Sequence, residues 1–409
     1  MADKLIKKTV VRPCPICSNG SGEVLHTQRF AIPEGHPLPG SYDVVCCAKC
    51  GFVYADTPAK QEDYDQYYEN FSKYEDLKTA SGSGLLPWDK ERSENVALEL
   101  VKALPDHNCS IIDIGCANGG ILSALKSSGY NNLAGMDPSS ACVRYIQKEC
   151  GISRAFEGGV FCPMLTDDKS LCRSFDCVIL SHVIEHIYDL KKAIENVSRL
   201  LKKDGIMYVE VPDASRYSDY YIVPYYYFDC EHINHFDERS LKNLLMLNGL
   251  EFISYSKNDR KVSGRNVYPV VSVIGKKPDN KVIDKEPAAD FAVKESVLKY
   301  IDKSKNAEDS IRIKLEALVK SREPVVVWGA GSFTERLLEG SLLGKCNIIA
   351  FIDNDSKKWG NNIKGVTVSS PDRVKDFAGT LVVASALFSD EICEEVKSMG
   401  VGNKIVVLK

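Results

Sequence analysis

The alternation of apolar and polar positions divides the chain into two runs of short strands separated by amphipathic helices. In the first run, Ile111, Ile112 and Ile114 flank Asp113 in a short buried-strand pattern, and a helical pattern begins at Ile121 after a Gly-rich turn. Apolar segments recur at 132–136, 155–157, 175–180 and 205–211, with helical patterns at 142–149 and 190–201. A helix at 240–247 precedes two segments, 252–255 and 267–274, that fit closing antiparallel strands. This alternation predicts a doubly wound α/β sheet. Upstream, 92–104 reads as an amphipathic helix leading into the Asp113 strand. The second run opens at Val325 with V-V-V-W-G-A-G-S-F-T-E-R and continues through Phe351, Ile352 and Asp353 to strands at 381–384 and 404–408.

Between the two runs, 278–322 is charged and reads as one or two linker helices. Ahead of the first, Tyr64, Tyr67, Tyr68, Phe71 and Tyr74 recur at helical spacing. That stripe is either a helix face packed on the next domain or a lid that also lines the substrate pocket. Domains are therefore expected at 1–75, 76–277, 278–322 and 323–409. With 409 residues, the chain is long enough for two or three domains with their own cores. A hydrophobic content of 44% and charged content of 26% suit an ordinary soluble protein, and a net charge of −4 leaves no basic footprint for nucleic acid. No apolar run reaches the ~18 residues of a spanning helix, so no membrane partner is expected. The first residues, M-A-D-K-L-I-K-K, lack the apolar core of a signal peptide. With fifteen cysteines and no export signal, a reducing cytoplasmic location is expected.

Four of those cysteines have a metal-binding spacing. Cys14 and Cys17 form one C-x-x-C knuckle, Cys47 and Cys50 another, with twenty-nine residues between Cys17 and Cys47. Two knuckles present four thiolates, the closed tetrahedral set of a structural Zn²⁺. The rival, a redox C-x-x-C, comes singly and within a βαβ pattern. Cys46 adjoins Cys47, but only Cys47 keeps the knuckle spacing.

The turn after the first strand reads Asp113-x-Gly115-x-x-x-Gly119, with Cys116 and Ala117 inside it. It departs from G-x-G-x-x-G, and an acid before the first glycine repels a pyrophosphate. It suits a ligand with an ammonium for Asp113 and a carboxylate for the helix N-terminus. Asp137 ends the second strand, where an acid accepts both ribose hydroxyls. These residues, with Phe175, Asp176 and Cys177 opening a fourth strand, resemble the class I S-adenosylmethionine-dependent methyltransferases over roughly residues 90–276. The resemblance implies cofactor contacts from Asp113, Gly115, Cys116, Gly119 and Asp137, and from Ser181 and His182 after the fourth strand. His182 and His186 lie four apart but lack a third metal ligand nearby. His186 matches a histidine common in these enzymes and reads as structural or cofactor-side.

Residues 212–236 are rich in tyrosine, too aromatic for disorder and too long for a passive connection. Glu231, His232 and His235 lie there, where a substrate would sit. In the second run, Gly329-x-Gly331-x-x-Thr334 lacks the third glycine of the dinucleotide fingerprint, and no residues for a nicotinamide site are evident. The order of zinc knuckles, class I core, Glu-His motif and smaller C-terminal Rossmann-like domain resembles the three-domain deoxysugar C-methyltransferases. That family methylates carbon 3 of nucleotide-linked 4-keto-deoxysugars. The resemblance implies a nucleotide-sugar substrate, His232 as base and Glu231 as its partner. The family tyrosine two residues before the glutamate matches Asp229 here, so that role is either absent or moved to Tyr227. Tyr68, Ser72, Tyr74 and His235 are the implied substrate contacts. An imidazole of pKa near ~6.5 suits removal of a proton beside a ketone.

Overall fold

The computed structural model describes residues 6–33, 35–70, 86–167, 170–279 and 286–409. Two compact units result. One comprises 1–28, 34–220 and 227–298; the other comprises 29–33, 221–226 and 299–409. Of the expected boundaries, the one at residue 75 lies outside the described residues.

The first unit starts with an antiparallel sheet of β1 (Ile6–Thr9), β2 (Ser21–Arg29), β3 (Ser41–Cys47) and β4 (Val53–Asp56). Both knuckles are tight turns closed by backbone hydrogen bonds, Ser18 N–H to Cys14 O and Gly51 N–H to Cys47 O. Ser18 and Gly51 adopt positive φ, which lets the chain turn back after each pair of thiols. At Gly51 a side chain is also excluded sterically, since a Cβ would fall 1.7 Å from Asp290 O.

The central sheet contains β5 (Ile111–Ile114), β6 (Leu133–Asp137), β7 (Arg154–Glu157), β8 (Phe175–Ser181) and β9 (Leu201–Pro212), all parallel. The two-residue β10 (Asn234–His235) joins the N-terminal sheet, antiparallel to β4. The hairpin β11 (Glu251–Lys261) and β12 (Val267–Lys276) closes the central sheet antiparallel to β9. The spatial order β7-β6-β5-β8-β9-β12-β11 is that of the class I methyltransferase fold. Strand alternation feeds two cores. Ile112, Ile114, Val178, Leu180 and Val209 bury on one face. Ile111, Cys177, Ile179 and Tyr208 bury on the other, against helices Pro87–Ala103 and Gly120–Ser127. Strand order reverses between β5 and β8, so their carboxyl ends frame the crevice where ligands bind in open α/β sheets.

The expected linker is one helix, Ala292–Ser321. The second unit holds β13 (Pro324–Trp328), β14 (Asn347–Ile352), β15 (Asn362–Ile363), β16 (Val366–Ser369), β17 (Thr380–Val383) and β18 (Ile405–Val407). Five of them are parallel in the order β16-β14-β13-β17-β18, and β15 adds antiparallel to β16. Thr334 explains how this unit dispenses with a third glycine. It is fully buried, and its Oγ1 lies 2.7 Å from Gly329 O and 2.8 Å from Ala384 O, knitting the turn to β17.

Candidate active site

The Asp113 turn is built by sterics. Gly115 and Gly119 have φ of +74° and +73°, and a Cβ would meet Val183 Cγ2 at 2.6 Å or Ile146 Cγ2 at 2.7 Å respectively. Asp137 reaches across to this turn. Its Oδ2 accepts the Ala117 N–H at 2.8 Å and its Oδ1 the Ser139 N–H at 2.9 Å. The Cys142 side chain also bonds this carboxylate, whose two oxygens have four lone pairs in all. Burial raises the Asp137 carboxyl despite those hydrogen bonds. The Cys116 thiol packs into the core beside Ile121, Leu122 and Ile146, so what it offers the crevice is backbone.

Asp113 is 1% exposed, and its Oδ1 has no hydrogen-bond partner among the described residues. Burial pushes its carboxyl up to about 8, against the nearby Arg92 charge and with that of Asp137. A buried acceptor without a donor is costly. An ammonium would satisfy it, so the residues fit the amino-acid end of S-adenosylmethionine.

Around this acid lies a charged network of which the sequence pointed only to Ser181 and His182. Arg92 donates from Nη2 to Ser181 Oγ at 3.1 Å, and its Nε sits 3.8 Å from Glu210 Oε1. His182, at φ 57°, bonds Glu185 Oε1 through Nδ1 at 3.0 Å and the Tyr268 hydroxyl through Nε2 at 2.8 Å. Arg260 Nε donates to Glu210 Oε2 at 3.2 Å. Burial opposes ionisation of Glu185, but the His182 hydrogen bond and the His186 and His182 charges hold it down to about 2. The available signal was Glu210, an acid within the otherwise apolar M-Y-V-E-V of β9.

A second cluster forms where the chain after β8 meets the segment before β10. The His186 and His232 ring centroids are 4.7 Å apart, edge to face. His186 Nδ1 lies 3.1 Å from Glu231 O, and Tyr68 donates its hydroxyl to Glu231 Oε2 at 3.0 Å. Burial, and after it the neighbouring His186, lower the His232 pKa. His186 thus belongs with Glu231 and His232. His235 is 1% exposed between Phe228 and Tyr217, and neither ring nitrogen has a partner among the described residues. Burial holds it down to about 3. The Tyr227 ring stacks on Tyr217 at 4.0 Å, and its hydroxyl donates to Tyr220 O at 2.6 Å. Ser72 and Tyr74 lie outside the described residues, as does the far end of the aromatic stripe.

The four knuckle sulfurs converge, all within 4.8 Å of one another. Cys14 and Cys50 Sγ are 3.7 Å apart, Cys17 and Cys47 Sγ 3.5 Å. A tetrahedron of ~2.3 Å Zn–S bonds has edges of roughly 3.8 Å, so the donor set fits zinc.

Residues 85–255 match the model of a family described as "Methyltransferase domain", and residues 321–407 one described as "C2185-like, N-terminal". Among curated proteins, the chain is 29% identical over 106 residues to the ubiquinone biosynthesis O-methyltransferase of Pelagibacter ubique (strain HTCC1062), covering 26% of this chain and 42% of that protein. It is 25% identical over 117 residues to the mitochondrial ubiquinone biosynthesis O-methyltransferase of Bos taurus, covering 28% of this chain and 31% of that one. The chain thus spans less than half the length of these relatives. Among solved structures, a 1,6-didemethyltoxoflavin-N1-methyltransferase of Burkholderia thailandensis is 15% identical, with 57% of this chain and 97% of that chain covered and a TM-score of 0.39. A SAM-dependent methyltransferase of Methanosarcina mazei is 19% identical, with 45% and 98% covered and a TM-score of 0.35. The first unit thus has the strand order of the class I methyltransferase fold, and residues 85–255 within it match the methyltransferase-domain family.

Proposed function

We propose that this chain methylates a carbon beside the ketone of a nucleotide-linked deoxysugar, with His232 as the base. The observation that supports this most is the cluster of Glu231, His232, His186 and Tyr68, in which the His232 ring meets that of His186 and the Glu231 carboxylate accepts from Tyr68. When bound, S-adenosylmethionine supplies an electrophilic methyl group. Asp113 takes its ammonium and Asp137 its ribose hydroxyls. Gly115 and Gly119 let the backbone approach, the Cys116 backbone lines the turn, and Ser181 and His182 border it. Arg92, already bonded to Ser181 Oγ, supplies a cation for the carboxylate.

His232 removes the proton next to the ketone, and Glu231 orients the ring and balances its new charge. Tyr227 or His235 donates to the enolate oxygen. Methyl transfer then depends chiefly on alignment. Tyr68, with Ser72 and Tyr74, contacts the sugar, and residues 323–409 bind the nucleotide. Cys14, Cys17, Cys47 and Cys50 hold a structural Zn²⁺ that takes no part in the chemistry.

A second reading, methyl transfer to oxygen with His232 deprotonating a hydroxyl, draws on the O-methyltransferases among the relatives. Deuterium separates the two. Enzyme with a nucleotide-linked 4-keto-deoxysugar in D₂O should exchange the proton beside the ketone, even with S-adenosylhomocysteine in place of the donor. His232→Asn should lose both exchange and methylation by ~10²–10⁴-fold. Retained turnover in His232→Asn would eliminate it as the base. Methyl transfer to oxygen without exchange would establish the second reading.

A further inference from the structure

The Glu231 and His232 segment leads into the N-terminal sheet. Two residues on, the chain becomes β10 and pairs with β4 of the knuckle-bearing sheet, Asn234 opposite Tyr54 and His235 opposite Val53. The Ala55 N–H donates to Ile233 O at 2.9 Å and extends that pairing. Ile233 N–H donates in turn to Glu185 O at 3.0 Å, which ties the segment to the one bearing His186.

Arg12 lies where these strands of chain meet. It is 1% exposed and stands two residues before Cys14. Its Nη1 donates to Ile233 O at 3.1 Å and to Ala55 O at 3.4 Å. Its Nη2 donates to Tyr188 O at 2.7 Å, to Asn234 Oδ1 at 2.9 Å and to Ile187 O at 3.2 Å. The guanidinium also sits over the Tyr188 ring, 4.8 Å from its centroid. Its own backbone is fixed, since Asp56 Oδ1 accepts the N–H groups of Val11 and Arg12, both at 2.8 Å. Asn234 completes the joint by donating from Nδ2 to Ile187 O at 2.7 Å and Ile184 O at 2.9 Å. A planar, permanently charged fork with five N–H groups can serve acceptors on three separate segments at once, which an ammonium on a flexible stem cannot.

We propose that Arg12 is a positioning residue, through which the metal-binding module holds the His186 and His232 segments in register, so that metal occupancy governs the geometry of the proton-transfer pair. The module is then part of the catalytic frame. The proposal rests on the reading of His232 given above only for its consequence on turnover; the structural coupling is measured without substrate.

Hydrogen–deuterium exchange of the full-length protein tests it. In Arg12→Met, amides of 184–188 and 231–236 should exchange at least about tenfold faster. Zinc content should stay at one per chain, and S-adenosylhomocysteine binding should change less than about twofold. Arg12→Lys should fall between the two. Should Arg12→Met not fold, chelating the metal from wild-type protein provides the second arm. It should release 231–236 and 184–188 together with the knuckles, while strands at 111–114 and 205–212 stay protected. If either treatment leaves exchange at 184–188 and 231–236 unchanged, Arg12 does not position them. Where a substrate is in hand, Arg12→Met should lower kcat much more than it raises KM. A failed substrate search would weigh against the functional reading and leave the exchange result standing.

Discussion

At the scale of single residues, Asp113 has the most direct consequence. Its carboxyl is pushed up to about 8 by burial, with Arg92 opposing and Asp137 reinforcing. It is therefore protonated at neutral pH in the ligand-free protein. The unfolded chain loses this proton near pH ~4. The stability due to Asp113 is fully present below that value and is lost as pH rises to about 8. A ligand ammonium reverses the balance by favouring the carboxylate. Binding of S-adenosylmethionine at pH ~7 should thus release a proton, seen as a buffer-dependent heat in titration calorimetry. Asp113→Asn should abolish that release, weaken binding by about 1.5–3 kcal/mol, and melt higher than the ligand-free wild type above pH ~8. Identical heats in buffers of different ionisation enthalpy would show that Asp113 does not meet the ligand charge.

At the scale of elements, the knuckle turns and β10 share one sheet, although β10 lies 178 residues beyond β4. Loss of the metal should therefore be felt beyond residues 1–75. Cys50→Ser should drop zinc below one per chain and lower Tm by several degrees, since the free energy of a structural metal is folding free energy. Full metal content with an unshifted Tm would remove the zinc assignment. The elements also show what pattern reading reaches. Strands expected at 155–157, 175–180 and 205–211 appear as Arg154–Glu157, Phe175–Ser181 and Leu201–Pro212. The last two declare themselves because they are buried within the parallel sheet, whereas Arg154–Glu157 is an edge strand with no fully buried residue. β10 escaped notice because two residues, Asn234 and His235, carry no periodicity. Its pairing depends wholly on β4.

At the scale of the whole molecule, the second unit contains the chain segment 221–226 as well as 299–409. Within that unit Ser304 Oγ accepts the Tyr225 N–H at 3.1 Å, and Arg336 donates to Pro224 O. The crevice of β5, β6 and β8, by contrast, belongs to the first unit alone. Removing residues 323–409 should accordingly leave S-adenosylhomocysteine affinity within about twofold of wild type and abolish binding of the nucleotide-linked substrate. Wild-type substrate affinity in the truncated protein, measured by calorimetry, would detach the nucleotide from this unit.

Local pattern was enough to determine the two strand–helix runs, the Asp113-x-Gly115-x-x-x-Gly119 turn, Asp137 at the end of its strand, and the two knuckles. Each is a relation among residues a few positions apart, governed by side-chain period, positive φ or ligand spacing. Tertiary structure decided what depends on distant partners. It buried Glu210 within reach of Arg260 and Arg92, joined His186 to His232 across forty-six positions, and gave Arg12 its five acceptors. An arginine beside a cysteine knuckle reads in sequence as a solvated charge. Only folding can tell such a residue from one desolvated against five carbonyl and amide oxygens, because desolvation is a property of the neighbours and not of the residue itself.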